Sequence, residues 1–229
     1  MINHIPSEKR GHTNIEWLDS KHSFSFGEYY DENNMAFHSL RVINEDVIAP
    51  GQGFSSHPHR NMEIVTFVLS GALEHKDSLG SGSVIRPGTI QKMTAGKGIL
   101  HSEFNHSEDE PVHLLQIWIT PDKTGLPPSY EEADFNFENG IALLAAPKGQ
   151  NGAVTLNQDA KIYSIGLTNS ATRKIDLDVS RKYWIQITKG SVNVNKTLLK
   201  QGDALTLETE KELVLVGAPE ADILLFDLA

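Results

Sequence analysis

Apolar residues recur at every second position over short stretches of this chain. "EIVTFVLSG", "HLLQIWIT", "KYWIQITKG", "SVNVN" and "DILLFDL" are the clearest cases. Each is rich in Val, Ile, Leu or aromatic residues and is bounded by turn formers, which predicts strands rather than helices. Glycine marks many of the joints, at Gly71, Gly80, Gly82, Gly88, Gly96, Gly98, Gly190 and Gly202. Many short strands with Gly-rich turns imply an all-β sandwich or barrel architecture. No stretch carries a long 3.6-residue period. "PPSYEEADF" leaves room for a turn or two of helix.

The strand pattern repeats loosely. "FVLSGALEHKDS" is a buried strand, a glycine and a second strand, and "IQITKGSVNVNKTLLKQGDALTL" follows the same order. Between them lies "PDKTGLPPSYEEADF", rich in Pro, Gly and charge, which suits a linker. The expected organisation is a first β-domain over residues 1–125, a linker over 126–135 and a second β-domain over 136–229.

Composition narrows the functions. The 229 residues carry a formal net charge of −10, which argues against nucleic-acid binding, because phosphate contacts need clustered Lys and Arg. Cysteine is absent, so disulfides, thiolate metal sites and cysteine nucleophiles are excluded. "MINHIPSEKRGHTN" has no apolar signal-peptide core, and no apolar run approaches the roughly 18 residues of a membrane span. The expectation is a cytoplasmic protein, in which the glycosylation-like triplets at Asn105 and Asn195 are accidental.

The histidine pattern changes the picture most. In "FSSHPHRNMEI", His57 and His59 are two positions apart, so on a strand they share a face while Pro58 points away. "GKGILHSEFN" repeats the spacing with His101 and Glu103. Two such strands facing one another inside a barrel would bring together three imidazoles and a carboxylate. The bland alternative needs four buried polar groups, each with its own partner, because burying them unpaired costs free energy. All ten histidines lie at or before His113. Counted back from Gly190 as the first copy is from Gly71, Asp176 and Asp178 fall at the His57 and His59 positions, and Lys182 at Glu63. An imidazole site is therefore confined to the first half, with one ion per chain. Gln116, in an apolar strand, needs a buried partner. Phe37, Met93 and Trp118 are candidates to line an apolar pocket. "HSFSFGEYY" predicts a half-buried strand, and "TAGKGILH" lacks the strand–helix context of a dinucleotide site.

"GQGFSSHPHRNMEIVTFVLSG" resembles the first cupin motif, with Gly51, His57, His59, Glu63 and Gly71 in order, although the Glu63–Gly71 spacing is one residue longer than usual. "MTAGKGILHSE", "WLDSKHSFSF" and "HLLQIWI" narrow the resemblance to the pirin family of two-domain cupins; the second half resembles a degenerate cupin. The resemblance implies an all-β bicupin, two jelly-roll-like β-barrel domains packed together. It implies one metal in the first barrel, with His57, His59, His101 and Glu103 as ligands. Glu63, a ligand in many other cupins, has two remaining uses: orienting a histidine or forming an internal salt bridge. The family implication favours Fe²⁺, while Ni²⁺, Cu²⁺, Co²⁺ or Zn²⁺ also suit such donors.

Several pirins resemble quercetinases. That implies a metal-dependent flavonol (quercetin) 2,3-dioxygenase that opens the ring with O₂ and releases CO, with Glu103 as the catalytic base as well as a ligand. The other reading is a pirin-like regulatory protein that contacts a transcription factor or metabolic enzyme, with the metal as a redox sensor. A metal-dependent isomerase or sugar-acting cupin would use the same ligand set. None of these readings involves direct nucleic-acid or membrane contact.

Overall fold

The computed structural model describes residues 1–168 and 171–229. The first part of the chain forms β1 (Ile2–Ile5), β2 (Gly11–Ile15), β3 (Leu18–His22), β4 (Leu40–Ile48), β5 (Gly53–His59) and β6 (Glu63–Ser70). It continues as β7 (Leu73–Asp77), β8 (Gly82–Ile85), β9 (Thr89–Thr94), β10 (Ile99–Asn105), β11 (Val112–Ile119) and β12 (Ser129–Asp134). The second part forms β13 (Ile141–Pro147), β14 (Val154–Leu156), β15 (Ala160–Thr168), β16 (Thr172–Asp176), β17 (Lys182–Val194), β18 (Thr197–Lys200), β19 (Ala204–Glu208) and β20 (Glu212–Leu228).

In the first domain a seven-stranded sheet, ordered β12-β9-β6-β11-β4-β3-β2, packs on a four-stranded sheet, β5-β10-β7-β8. Leu73 and Ile85 of the small sheet meet Ile48, Val68 and Leu114 of the large one in a core between the two sheets. The second domain is a nine-stranded sheet built around β19, β17, β20 and β15. Its interior is filled by Ile185, Ile187, Leu205, Leu207, Leu213, Leu215, Ile223 and Leu225.

The central strands β6 and β11 of the large sheet are covered on both faces for a physical reason. Their inward residues belong to the first barrel, and their outward residues pack against the second domain. In β11, Gln116 and Trp118 point inward while Leu115, Ile117 and Ile119 join a shared core with Leu144, Ile162, Trp184, Leu224 and Phe226. A sheet covered on both sides reads as a near-continuous apolar run. Each such side chain stabilises the docked pair by roughly 1.5–3 kcal/mol relative to exposure.

The N-terminal segment ties the domains further. β1 pairs antiparallel with β19 of the second sheet. Buried Arg10 binds Glu45 at 2.6 Å and the carbonyls of Lys21 and Gly202. Burial works to raise the Glu45 carboxyl, but His113 and Arg10 outweigh it and hold it near 2.

Three local expectations are corrected. "PPSYEEADF" contains no helical turn: Ser129–Asp134 is β12, an edge strand paired with β9, inside the stretch taken for a linker. The strand expected across "HSFSFGEYY" ends at His22, and Ser23, Phe24 and Ser25 are all buried. Of the three candidate pocket residues, Trp118 alone lines the main cavity. Phe37 packs at a tilt against Trp184 in the interdomain core, and Met93 packs with Ile64, Ala95 and Ile99.

Candidate metal centre

His57 and His59 lie on β5, and His101 and Glu103 on β10. The two strands do not face one another across the barrel, as the spacing suggested; they are hydrogen-bonded neighbours in the small sheet. His101 sits directly opposite His57, so three imidazoles converge by cross-strand pairing. The register shifts between His101 and Glu103, where three steps along β5 (His57 to Phe54) match two along β10, so the β-bulge lies on β5 while β10 keeps regular register with β7. Gly53 makes this approach feasible: a Cβ at that position would lie 2.2 Å from the Glu103 carbonyl oxygen.

The ligand-capable atoms of His57, His59 and His101 lie within 4.8 Å of one another. The ring centroids are 4.8 Å (His57–His59), 4.4 Å (His57–His101) and 4.8 Å (His59–His101) apart. Glu103 comes within the same 4.8 Å limit of His101 in a second, overlapping cluster with His75.

Local contacts set each donor. His57 Nδ1 is 2.8 Å from the Ser55 carbonyl, which can only accept, so the ring carries its proton there and leaves Nε2 free. His101 Nε2 is buried and, among the described residues, has no hydrogen-bond partner. A buried imidazole nitrogen without a protein partner, beside two other imidazoles, is a donor set that suits a cation. Burial and the neighbouring imidazoles push His59 down to about 4 and His101 to about 3, so both are neutral, ligand-competent rings at ordinary pH. The residues therefore fit a borderline divalent ion.

Glu103 is buried, and Gln116 Nε2 donates to both carboxyl oxygens at 2.9 Å. Thr66 Oγ1 lies 3.4 Å from Glu103 Oε1 and 3.3 Å from Gln116 Oε1. This supplies the partner that Gln116 required.

Glu63 does not belong to this centre. Counting alternate positions from His59 places it on the inner face, but the chain turns at Asn61 (φ 51°), and the count does not survive the turn. Its carboxylate faces the second domain, 3.3 Å from Lys92 Nζ, and accepts from the backbone N–H and side-chain amide of Asn157, both at 3.2 Å. Of its two expected uses, the structure has the salt bridge.

The cavity beside the cluster has a volume of about 640 Å³. Trp17, Phe26, Phe54 and Trp118 give it aromatic walls; Trp118 stands edge-on to His59 at 4.9 Å. A polar strip crosses one wall, with His22 Nδ1 2.9 Å from Asn44 Oδ1, and Ser20 donating to Asp46. Burial raises the Asp46 carboxyl to about 7; the Ser20 hydrogen bond opposes this, and the Glu103 charge adds to it.

Sequence reasoning passed over Asp46, His22 and His75. His75 and Asp77 in "LEHKDS" do carry the same two-residue spacing as the ligand pairs, and that signal could have found them. In the second barrel, Asp176 lines a cavity of about 180 Å³, and Asp178 instead holds Ser180. With its interior packed by Leu and Ile, that barrel has no counterpart of the histidine cluster among the described residues.

Comparison with known proteins agrees with this architecture. The family description Pirin matches residues 5–119, and the Quercetinase C-terminal cupin domain matches residues 143–228. A quercetin 2,3-dioxygenase of Escherichia coli K12 is 42% identical over 222 residues, covering 97% of this chain and 96% of that protein. A pirin-like protein of Caulobacter vibrioides is 36% identical, with both chains fully covered. The crystal structure of the bacterial pirin YhhW from Escherichia coli in complex with nickel(II) superimposes with a TM-score of 0.95 at 42% identity, covering 100% of this chain and 99% of that one. An all-β fold of two cupin-type barrels, matched by family descriptions in both halves, places this chain in the pirin family.

Proposed function

We propose that this chain is a metal-dependent flavonol 2,3-dioxygenase that holds one divalent ion, Fe²⁺ first among the candidates, on His57, His59, His101 and Glu103. The observation that carries the reading is the junction of two features: a cluster of three imidazoles with an orphaned buried nitrogen, and an aromatic-walled cavity large enough for a flat polyphenol. The quercetin 2,3-dioxygenase name of the 42% identical relative and the nickel-bound pirin neighbour support it.

When bound, a divalent ion at these donors lowers the pKa of a coordinated hydroxyl and supports oxygen chemistry. The protein groups do the rest. Trp17, Phe26, Phe54 and Trp118 sandwich the flat rings and keep water away. Glu103, held in place by Gln116, takes the proton of the flavonol 3-hydroxyl onto a carboxyl oxygen. Asn44 and Asp46 on the polar strip offer hydrogen bonds to further substrate hydroxyls.

The test is oxygen uptake with quercetin against pH, for wild type and Glu103→Gln at matched metal content. Glutamine keeps the shape and an oxygen donor but cannot accept the proton. A rate loss of about 10²–10⁴-fold is expected, with partial recovery at higher pH as more flavonol arrives ionised. Full activity in Glu103→Gln would move the base elsewhere. Asp46 would then be the next candidate, because Glu63 faces the second domain.

A further inference from the structure

His75 is a fully buried histidine that does not line the cavity. It lies on β7, whose pairing with β10 sets Asp77 opposite His101 and His75 opposite Glu103. A chain of short contacts runs from the proposed centre through His75 to the β7–β8 turn. His75 Nδ1 is 3.4 Å from His101 Nδ1. His75 Nε2 is 3.3 Å from Asp77 Oδ2. Asp77 Oδ1 in turn accepts the backbone N–H groups of Leu79 at 2.9 Å and Ser81 at 3.0 Å. The Asp77 side chain is completely covered, and the ring of Tyr130 lies over His75 with centroids 5.0 Å apart.

For neutral rings, hydrogen-bond directionality leaves one self-consistent arrangement. If His101 Nε2 keeps a bare lone pair, the His101 proton is on Nδ1 and is donated to His75 Nδ1. His75 then carries its own proton on Nε2 and donates it to Asp77 Oδ2. The reverse direction fails at both ends. It would put a proton on His101 Nε2, which has no acceptor among the described residues, and would set a bare His75 nitrogen against the Asp77 carboxyl oxygen.

We propose that Asp77 and His75 are positioning residues: a buried two-step relay that fixes the tautomer and ring orientation of His101 so that Nε2 faces the metal. This rests on the ligand set proposed above. Metal-bound imidazoles commonly donate their second N–H to a carboxylate or carbonyl, which fixes the tautomer and increases ligand basicity. Here a second imidazole is interposed. Asp77, fastened to the β7–β8 turn by two amides, aligns His75, and His75 aligns His101. Tyr130 holds the His75 ring plane from β12.

The experiment measures Ni²⁺ binding by chelator competition in wild type, His75→Phe, His75→Gln and Asp77→Asn. Phenylalanine keeps the stack on Tyr130 but neither hydrogen bond. Glutamine keeps both, because its carbonyl accepts from His101 and its amide donates to Asp77. Asparagine at position 77 still accepts from the turn amides but presents N–H to His75, which reverses the relay and gives His101 the wrong tautomer.

His75→Phe and Asp77→Asn should each bind Ni²⁺ about 10–100-fold more weakly, the usual effect of losing such a supporting contact, while still taking up one ion at saturation. His75→Gln should recover most of the loss. Long-range ¹H–¹⁵N NMR correlations of the metal-free protein should show the His101 proton on Nδ1 in wild type and on Nε2 in Asp77→Asn. A merely structural role for Asp77 would leave that proton in place. Folded His75→Phe and Asp77→Asn proteins with wild-type Ni²⁺ affinity would overturn the relay while leaving the ligand set intact. Loss of the ion at saturating Ni²⁺ in folded His75→Phe would make His75 a ligand and also overturn it. Should His75→Phe not fold, the Asp77→Asn affinity and NMR signature decide. A wild-type protein that binds no Ni²⁺ would overturn the ligand set and the relay together.

Discussion

Lys92→Met tests the assignment of Glu63 to the domain interface. Both side chains are essentially inaccessible, with Lys92 Nζ 3.3 Å from Glu63 Oε2. The remaining support for that oxygen is neutral: Thr94 Oγ1, the Asn157 backbone amide and the Asn157 side-chain amide, each at 3.2 Å. Glu63 Oε1 has no partner among the described residues. The other carboxylate near Lys92 is Glu131, 3.5 Å away and partly exposed. Removing the ammonium leaves a buried charge with neutral donors only, and breaking such a pair costs about 3–5 kcal/mol. For a chain of this size that corresponds to a Tm decrease of roughly 6–20 °C, at 2–4 °C per kcal/mol. The double variant Glu63→Leu/Lys92→Met removes both charges, and well-packed apolar replacement of a buried pair is often neutral. It should regain most of the loss, short of about 1–3 kcal/mol for the Asn157 amides left unpaired. Thermal denaturation followed by circular dichroism gives the numbers, and elemental analysis gives the metal content. A Lys92→Met Tm within about 2 °C of wild type would refute the energetic argument. Loss of the ion from a folded Glu63→Gln protein would return Glu63 to the metal centre.

Other outcomes follow from the same geometry. Asp46→Asn should gain stability relative to wild type as pH rises. The native carboxyl pKa is raised from 3.8 to about 7, so its ionisation penalty is absent below the unfolded value and complete only above the folded one. Urea unfolding of the metal-free proteins at about pH 5 and about pH 8 should differ by an extra 2–3 kcal/mol, roughly 1.4 per pKa unit crossed; a pH-independent difference would refute it. Gln116→Leu removes both amide contacts to Glu103 and should weaken metal binding about 10–100-fold by chelator competition. Elemental analysis should find one ion per chain, with His57→Ala or His101→Ala losing it; two ions per chain, or full retention in both variants, would contradict the assignment.

Much of this molecule was legible in the sequence because strand alternation is local. "HLLQIWIT" and "EIVTFVLSG" announced strands, and the paired spacings of His57/His59 and His101/Glu103 placed both pairs on shared faces. What failed depended on chain turns or distant pairing. The neighbouring positions of β5 and β10 follow from sheet order, which a spacing rule does not contain. The face of Glu63 was lost at the Asn61 turn. His75 becomes meaningful only once β7 lies in register beside β10. β12 resembled a helical turn because Glu and Ala favour helices, but edge strands also carry charge, which discourages unwanted pairing.

The most direct test of the central claim is the gas balance of a single reaction. Metal-replete wild-type protein, with one ion per chain verified, is mixed with quercetin in oxygenated buffer while O₂ loss and CO release are measured together. The account predicts that O₂ is consumed and CO released in equal amounts with the flavonol opened, and that His101→Ala abolishes both. Metal-replete protein that binds quercetin but consumes no O₂ and releases no CO would contradict it.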